Sequence, residues 1–359
     1  MVHSLRQPKI LSWLSLLCLL LFYRSVRAQI ITDFFAEEVI GTLDAQTLQN
    51  PMGKNNKSRS RGIDIAYQGT GGVSFQEKDT PLDRPLPQLN HLGLLVLKLR
   101  IPVMLKDNFS LVVGTSYRPE NYNVDNIPTD FVPEFTTMDQ TTMKSTGFQV
   151  IANRTLNKNA SLTFRLKTTY NGDFSGFVNI DHRYAIYSAS GVYGVQKTKA
   201  IEWGVGLNIN SSFRNRLVPL PIFLYNRTFN EKWGLELFLP ASAKIRHNPR
   251  PNTIFLGGIN FSSRNYRLDV ERRFDNNELV NADYILRHSE IQMGVEIEQQ
   301  IIPWLWLHAR LGYQLNFRTT FDAKNEFANE FAIRPDNTPF FRLGIFVSPP
   351  DDRLGTRNK

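Results

Sequence analysis

The sequence predicts an all-β chain: an antiparallel transmembrane β-barrel of about fourteen strands, with short periplasmic turns and longer extracellular loops. Three observations predict it. From Gly62 onward, runs of about ten residues alternate apolar and polar side chains, the period of a strand with two unlike faces. The connections between these runs are alternately short and long. An export signal precedes them, and no later stretch approaches the roughly eighteen consecutive apolar residues of a helical span.

Residues 1–28 read as a signal peptide. Arg6 and Lys9 supply the basic start, Ile10 to Tyr23 the apolar core, and Val26-Arg27-Ala28 the cleavage site. An uncleaved anchor is the alternative, because Arg24 and Arg27 stand close to that site. Cys18 follows Leu17 inside the apolar core and reads as a bystander, not a lipid-attachment site. Residues 29–60 form a periplasmic or hatch-like lead-in: Ile30 to Leu48 suits a short helix, and Asn50 to Arg61 is a polar, basic run. Residues 61–348 are the expected barrel, and 349–359 a polar tail.

The expected strands cover 62–69, 90–102, 109–118, 143–155, 160–170, 183–196, 200–210, 217–229, 233–246, 253–261, 265–273, 286–300, 304–318 and 339–348. Short turns are expected at 105–108, 157–159, 197–199, 230–232, 262–265 and 302–303, where Asn, Asp, Ser, Lys and Pro suit tight connections. With both termini in the periplasm, the strand number is even. Joining 253–261 to 265–273 as one bent strand leads toward twelve, the alternative count. The longest connections, 119–142 and 319–338, are expected to be extracellular loops.

The two faces are clearest in 304–318. Leu305, Leu307, Ala309, Leu311, Tyr313, Leu315 and Phe317 share one side; Trp306, His308, Arg310, Gln314 and Asn316 share the other. Strands 160–170, 200–210, 286–300 and 339–348 repeat the pattern. A soluble exported β-protein alternates in the same way. Length discriminates: many of these runs reach ten to sixteen residues, whereas globular strands average about five or six. Trp203, Trp233, Trp304 and Trp306 lie beside short turns, where an interfacial aromatic belt is expected.

The signal contains the only cysteine and four of the 42 basic residues, leaving 38 bases against 33 acids, or +5, in the mature chain. A small disulfide scaffold is therefore excluded. The mild basic excess has no cluster that suits nucleic acid and fits anionic lipid headgroups better. Seven Asn-x-Ser/Thr sites, such as those at Asn108, Asn159 and Asn260, mostly flank strands and read as turn residues, not glycosylation sites.

Two segments, Trp233 to Gly258 and Ser289 to Tyr313, with a signal ending in Ala-Gln, resemble an uncharacterised family of outer-membrane β-barrels of Bacteroidota-type gram-negative bacteria, known only as a domain of unknown function. The resemblance implies a barrel and a location, the outer membrane. It implies no catalytic or binding residue.

Alternation puts Lys98, Arg100, Arg165, Lys167, Glu202, Glu236, Arg267, Asp269, Glu271, Glu290, Glu296, Glu298, His308, Arg310 and Arg342 on the lumen face. Such a mixed set is either a salt-bridged filling or the lining of a weakly selective passage. A passive channel for small solutes is the leading expectation, with a closed structural or adhesive barrel as the alternative. The expected partners are outer-membrane lipid and small solutes, without nucleic acid, and the chain is expected to be monomeric. An enzyme is not expected. Asp181-His182 could pair as acid and base, His308 could serve a barrel phospholipase, and His288-Ser289 are sequence neighbours; each reads better as an ordinary loop or lumen residue. No cofactor or metal site is expected, since the histidines are scattered.

Overall fold

The computed structural model of the protein describes residues 58–77, 87–127, 132–211, 213, 217–273, 279–328 and 330–348. The predicted signal, most of the hatch-like segment and the polar tail lie outside the described residues.

Among the described residues, sixteen strands form a single sheet. They are β1 (Ile63–Thr70), β2 (Val73–Glu77), β3 (Gln88–Lys106), β4 (Phe109–Asp125), β5 (Met143–Asn157), β6 (Ala160–Gly172), β7 (Ala185–Thr198) and β8 (Ile201–Ser211). β9 (Leu217–Thr228), β10 (Trp233–Leu239), β11 (Ser242–Arg250), β12 (Thr253–Arg273), β13 (Leu279–Ile302), β14 (Leu305–Ala323), β15 (Phe331–Pro335) and β16 (Thr338–Val347) follow. One helix, α1 (Val132–Gln140), lies between β4 and β5.

The ring closes through β1, whose Ile63 pairs with Val347 of β16 on one side and with Leu99 of β3 on the other. Setting aside the short β2 and β15 leaves fourteen antiparallel strands in the closed barrel. A closed ring satisfies every backbone polar group without water, which is what hydrocarbon requires. Above this seam a second one joins β3 to β14 through β2 and β15, so the wall continues outward past the end of β1.

The strand number agrees with the sequence reading through two compensating differences. The expected strand 233–246 is two, β10 and β11, divided at Pro240, whose missing N–H cannot continue a ladder. The expected strands 253–261 and 265–273 are one: Ser262 to Asn265 stay in register with Glu290 to Arg287 of β13 instead of turning. Much of the two long expected loops is also ordered structure. β4 runs on to Asp125 and leads to α1, while β14 runs to Ala323 and is followed by β15.

The outer wall is apolar. Leu311, Leu166 and Val295 are 68%, 64% and 59% exposed. In water such a belt would be an aggregation hazard; in lipid it is the required surface. Trp233 and Trp304 stand exposed at the short-turn end, as an interfacial belt predicts. Trp306 differs: it is buried inside the barrel, stacked on Phe346, because it shares the parity of His308 and Arg310.

The wall is uneven. Beyond Phe261, β12 leaves β11 and crosses to the other side of the mouth, where Arg267 meets Gly172 of β6. A smaller upper storey results, built from the long strands and filled by α1. Phe135 and Met138 pack there with Phe75, Val124, Leu268, Tyr284, Phe321 and Ile333 in the main hydrophobic cluster. Two acids of the helix are tied to the wall: Tyr284 Oη donates to Glu134 at 2.7 Å, and the Val124 N–H donates to Asp139 at 2.9 Å.

Candidate functional site in the barrel lumen

The lumen has three levels. At the short-turn end, the chain just before β1 runs inside the barrel. Ser58 donates from its N–H and its hydroxyl to Glu236 of β10, at 2.9 and 2.6 Å. β10 lies nearly opposite β1 in the ring, so residues 58–61 cross the lumen, and Gly62 joins the wall between Val347 and Arg100. Arg246 of β11 donates to the same carboxylate at 3.0 Å. The Arg59 guanidinium lies 5.1 Å above the Trp306 ring, and that of Arg61 lies 4.5 Å above Phe346. With Ile254 and Leu256, these two rings form an apolar floor under the crossing chain.

Arg61 is the centre of an ion network. Its guanidinium donates to Glu298 at 2.6 Å and Glu296 at 2.8 Å, and lies 3.4 Å from Asp64. His308 bridges the acids, 3.4 Å from Asp64 and 3.5 Å from Glu296. Lys244 and Arg342 approach Glu296 and Asp64 from above, at 3.8 and 3.7 Å. Buried charges are tolerated only in such mutual compensation.

The middle level is a cavity of about 270 Å³. Lys98, Arg100, Lys167, Glu296, Arg310 and Arg342 line it, as alternation predicts. Cross-strand register explains their grouping: Arg100, Gly114, Gln149, Lys167 and Ser188 follow one another across β3 to β7 in one layer. On the facing wall, Arg246, Leu256, Glu296, Arg310 and Arg342 make a corresponding layer. Ala241, Phe261 and Ser263 complete the lining at the step where β12 leaves β11, so the cavity reaches the low part of the rim.

The upper level is a second network beneath the α1 cluster. Arg264 is held by Glu290 in close contact and by Glu120 at 3.5 Å. Arg118 lies 3.1 Å from Glu120 and donates to the Tyr266 hydroxyl at 3.1 Å. His288 adds a contact to Glu290 at 3.0 Å and lies 2.8 Å from the Thr319 hydroxyl.

The expected lumen residues therefore divide. Glu296, Glu298, His308 and Arg342 gather around Arg61, while Glu290 belongs to the upper network. Arg165 and Glu202 are buried on the inner face of β6 and β8, away from both networks, and Glu202 accepts from Asn226 at 3.1 Å. Arg267, Asp269 and Glu271 are a correction. Arg264, Tyr266, Leu268 and Val270 take the inner face of β12, so those three project from the opposite one. There Arg267 pairs with Asp283, and Asp269 accepts from Tyr184 at 3.2 Å. The loop carrying Asp181-His182 is ordinary: Asp181 caps Arg183, and the His182 side chain is 89% exposed.

Residues missed from the sequence include Arg61, Asp64, Arg118, Glu120, Lys244 and Arg264. Asp64 was visible, since it alternates with Ile63 and Ile65. Arg61 was not, because it ends a run of polar residues that reads as loop.

Among known structures, the COG4313 outer-membrane channel of Pseudomonas putida F1 is similar over 83% of this chain and 99% of its own, at 11% identity and a TM-score of 0.42. A Pseudomonas aeruginosa FadL homologue is similar over 88% and 97%, at 8% identity and a TM-score of 0.40. No curated protein matches in sequence. A closed antiparallel ring with an apolar belt is an outer-membrane protein of a gram-negative cell. Residues 134–348 match the DUF6268 family, a domain of unknown function, and the chain belongs to it.

Proposed function

We propose that the barrel is a passive, monomeric channel for small polar solutes, held shut at its periplasmic end by the chain that precedes β1. One observation carries this reading. Residues 58–61 occupy the lumen without a backbone–backbone bond to the described wall strands, whereas Gly62 already pairs with Val347 and Arg100, and above them lies a polar cavity that reaches the low rim. A plug attached through side chains can leave; a wall strand cannot. The ring has no free edge and needs no partner chain, and the lipid-facing belt needs only outer-membrane lipid. We read the protein as a non-enzyme that uses no cofactor: His308 is occupied by two carboxylates, and Asp181 by Arg183.

Planar-bilayer recording tests the passage. Deleting residues 29–60 should convert rare or small openings into larger, sustained ones. Silence from both the full chain and the deletion, with correct folding, would favour a closed structural or adhesive barrel. The apolar upper storey around Phe135 supports that second reading, since it seals much of the outer mouth.

A further inference from the structure

We infer that the flank of the barrel formed by β4 to β9 holds one acyl chain of an outer-leaflet lipid in a fixed groove beneath the loop 173–181. The inference does not depend on the passage reading; it needs only that the apolar belt lies in lipid. On this flank the outward side chains do not make a level surface. One layer runs through Val113, Val150, Leu166, Ala189 and Ile209 across β4 to β8. Ala189 is its low point, and the longer Leu166 and Ile209 stand exposed on either side. In the next layer toward the extracellular end, Phe148 and Tyr187 flank Thr168. Toward the periplasm, the Phe164 ring leans over Gly191, where a Cβ would lie 3.4 Å from it, and marks the lower end. The resulting groove, of about 650 Å³, reaches the extracellular ends of β8 and β9 at Ser211 and Leu217.

The loop between β6 and β7 comes down on the same flank. Lys144 Nζ donates to the Phe174 carbonyl at 2.7 Å, and the Thr146 hydroxyl donates to the Phe177 carbonyl. The Phe177 ring lies 5.0 Å from that of Tyr117. Lys144 and Thr146 share the outward parity of Phe148, so the loop is fastened to the lipid side of β5. Tyr117 and Thr146 pair one layer above Thr115 and Phe148, which puts the loop directly over the groove. Phe177 and Ile180 of this loop stay 74% and 76% exposed, a surface that hydrocarbon accepts and water disfavours. The occupant follows from the groove's position. It is continuous with the apolar belt, whose neighbour is the lipid tail. A tail against a flat wall touches protein on one side; in the groove it gains contacts along both flanks, and those contacts are forfeited if the groove stays unfilled. The volume is more than four times the ~150 Å³ that admits a benzene ring, which gives room for a run of methylenes.

The test reconstitutes the full chain in vesicles of palmitoyl-oleoyl phosphatidylethanolamine and phosphatidylglycerol, extracts it with detergent and weighs it by native mass spectrometry. After washing strips the belt, the parent should retain one phospholipid per barrel. Ala189→Trp fills the floor of the groove and should lose that lipid. Ala309→Trp adds the same bulk to the outward face of β14 and should keep it. Phe177→Ser with Ile180→Ser changes only the loop and should lower retention several-fold; it decides the matter if A189W fails the gel-mobility check of folding. A parent that retains no lipid, or variants that all retain as much as the parent, overturns the site. A second barrel retained by the parent and lost in A189W assigns the flank to a dimer contact and overturns the acyl chain as its occupant.

Discussion

Replacing Arg61 by Met isolates the charge at the centre of the periplasmic closure. Methionine keeps most of the apolar stem but loses the guanidinium that lies over the Phe346 ring, a contact worth about 1 kcal/mol beside the ion network. The perturbation is electrostatic. Three carboxylates that now share one guanidinium, those of Glu298, Glu296 and Asp64, have side chains only 0%, 8% and 3% exposed. Removing one member of a buried ion pair costs about 3–5 kcal/mol, because the partner keeps its desolvation penalty. Lys244 and Arg342 remain near two of the acids, at 3.8 and 3.7 Å, which puts the expected loss at the lower end, about 3 kcal/mol. Glu298 has no such substitute among the contacts described, so Arg61→Met with Glu298→Gln should recover part of the loss. Urea titration of the folded barrel in liposomes, read by gel mobility, gives the midpoints. If R61M unfolds within about 0.5 kcal/mol of the parent, the range of an ordinary surface substitution, the network is not holding the closure and the reasoning fails.

Three further predictions concern other parts of the fold. Leu311→Arg places a charge on the most lipid-exposed part of β14 and should cost about 2–4 kcal/mol in liposome refolding, whereas a protein folded in water would tolerate it; equal refolding of variant and parent would refute the lipid-facing assignment. Gly312→Ala should destabilise the barrel, because a Cβ there would collide with the Met293 carbonyl oxygen of the paired strand; an unchanged urea midpoint would contradict that packing. At the level of the extracellular loops, burial raises the Asp173 carboxyl to about 6, against the hydrogen bond from the Asp269 N–H, and the Asp269 charge raises it further. A raised carboxyl favours the folded loop when protonated. Docking of the segment after Asp173 on β12 is therefore strongest below the ordinary 3.8 and weakens as the pH climbs past about 6. The protection factor of the Asp269 amide should fall over that interval in the parent and stay level in Asp173→Asn; a level protection factor in the parent would refute the linkage.

The wall of the barrel was legible in the sequence because lipid and lumen impose opposite demands on neighbouring residues. β14 is the clear case: Leu305 to Phe317 face out and Trp306 to Asn316 face in along its membrane-spanning length. The errors arose where that contrast ends. Ser262 to Asn265 are polar because β12 is leaving the bilayer there, and a polar run in a barrel reads as a turn. Restarting the strand after a false turn shifted the parity by one, and a shift of one exchanges the two faces. That is how Arg267, Asp269 and Glu271 came to be expected inside. Pro240 was the opposite case, a real break hidden within a run long enough to be one strand.

The site was less legible than the wall. Alternation tells which residues point inward but not how deep they lie. The cavity lining joins Lys98 and Lys244, although 146 positions separate them in the sequence. That meeting follows from the registers of all the intervening strands. The gathering of Asp64, Glu296 and Glu298 around Arg61 is likewise a property of the assembled ring.

The seven residues of β10 and nine of β11 have a consequence for the surrounding lipid. At about 3.3 Å per residue and a tilt of about 40°, these strands rise only ~18–23 Å, below the ~25 Å height of a usual outer-membrane apolar band. The 24 residues of β13 rise about 60 Å on the same arithmetic. Acyl chains beside the short hairpin must bend or shorten to meet it, at a fraction of a kcal/mol per ångström. The protein thus imposes a shallow dimple on one flank, and the leaflet it sits in is thinnest beside the lowest point of its mouth.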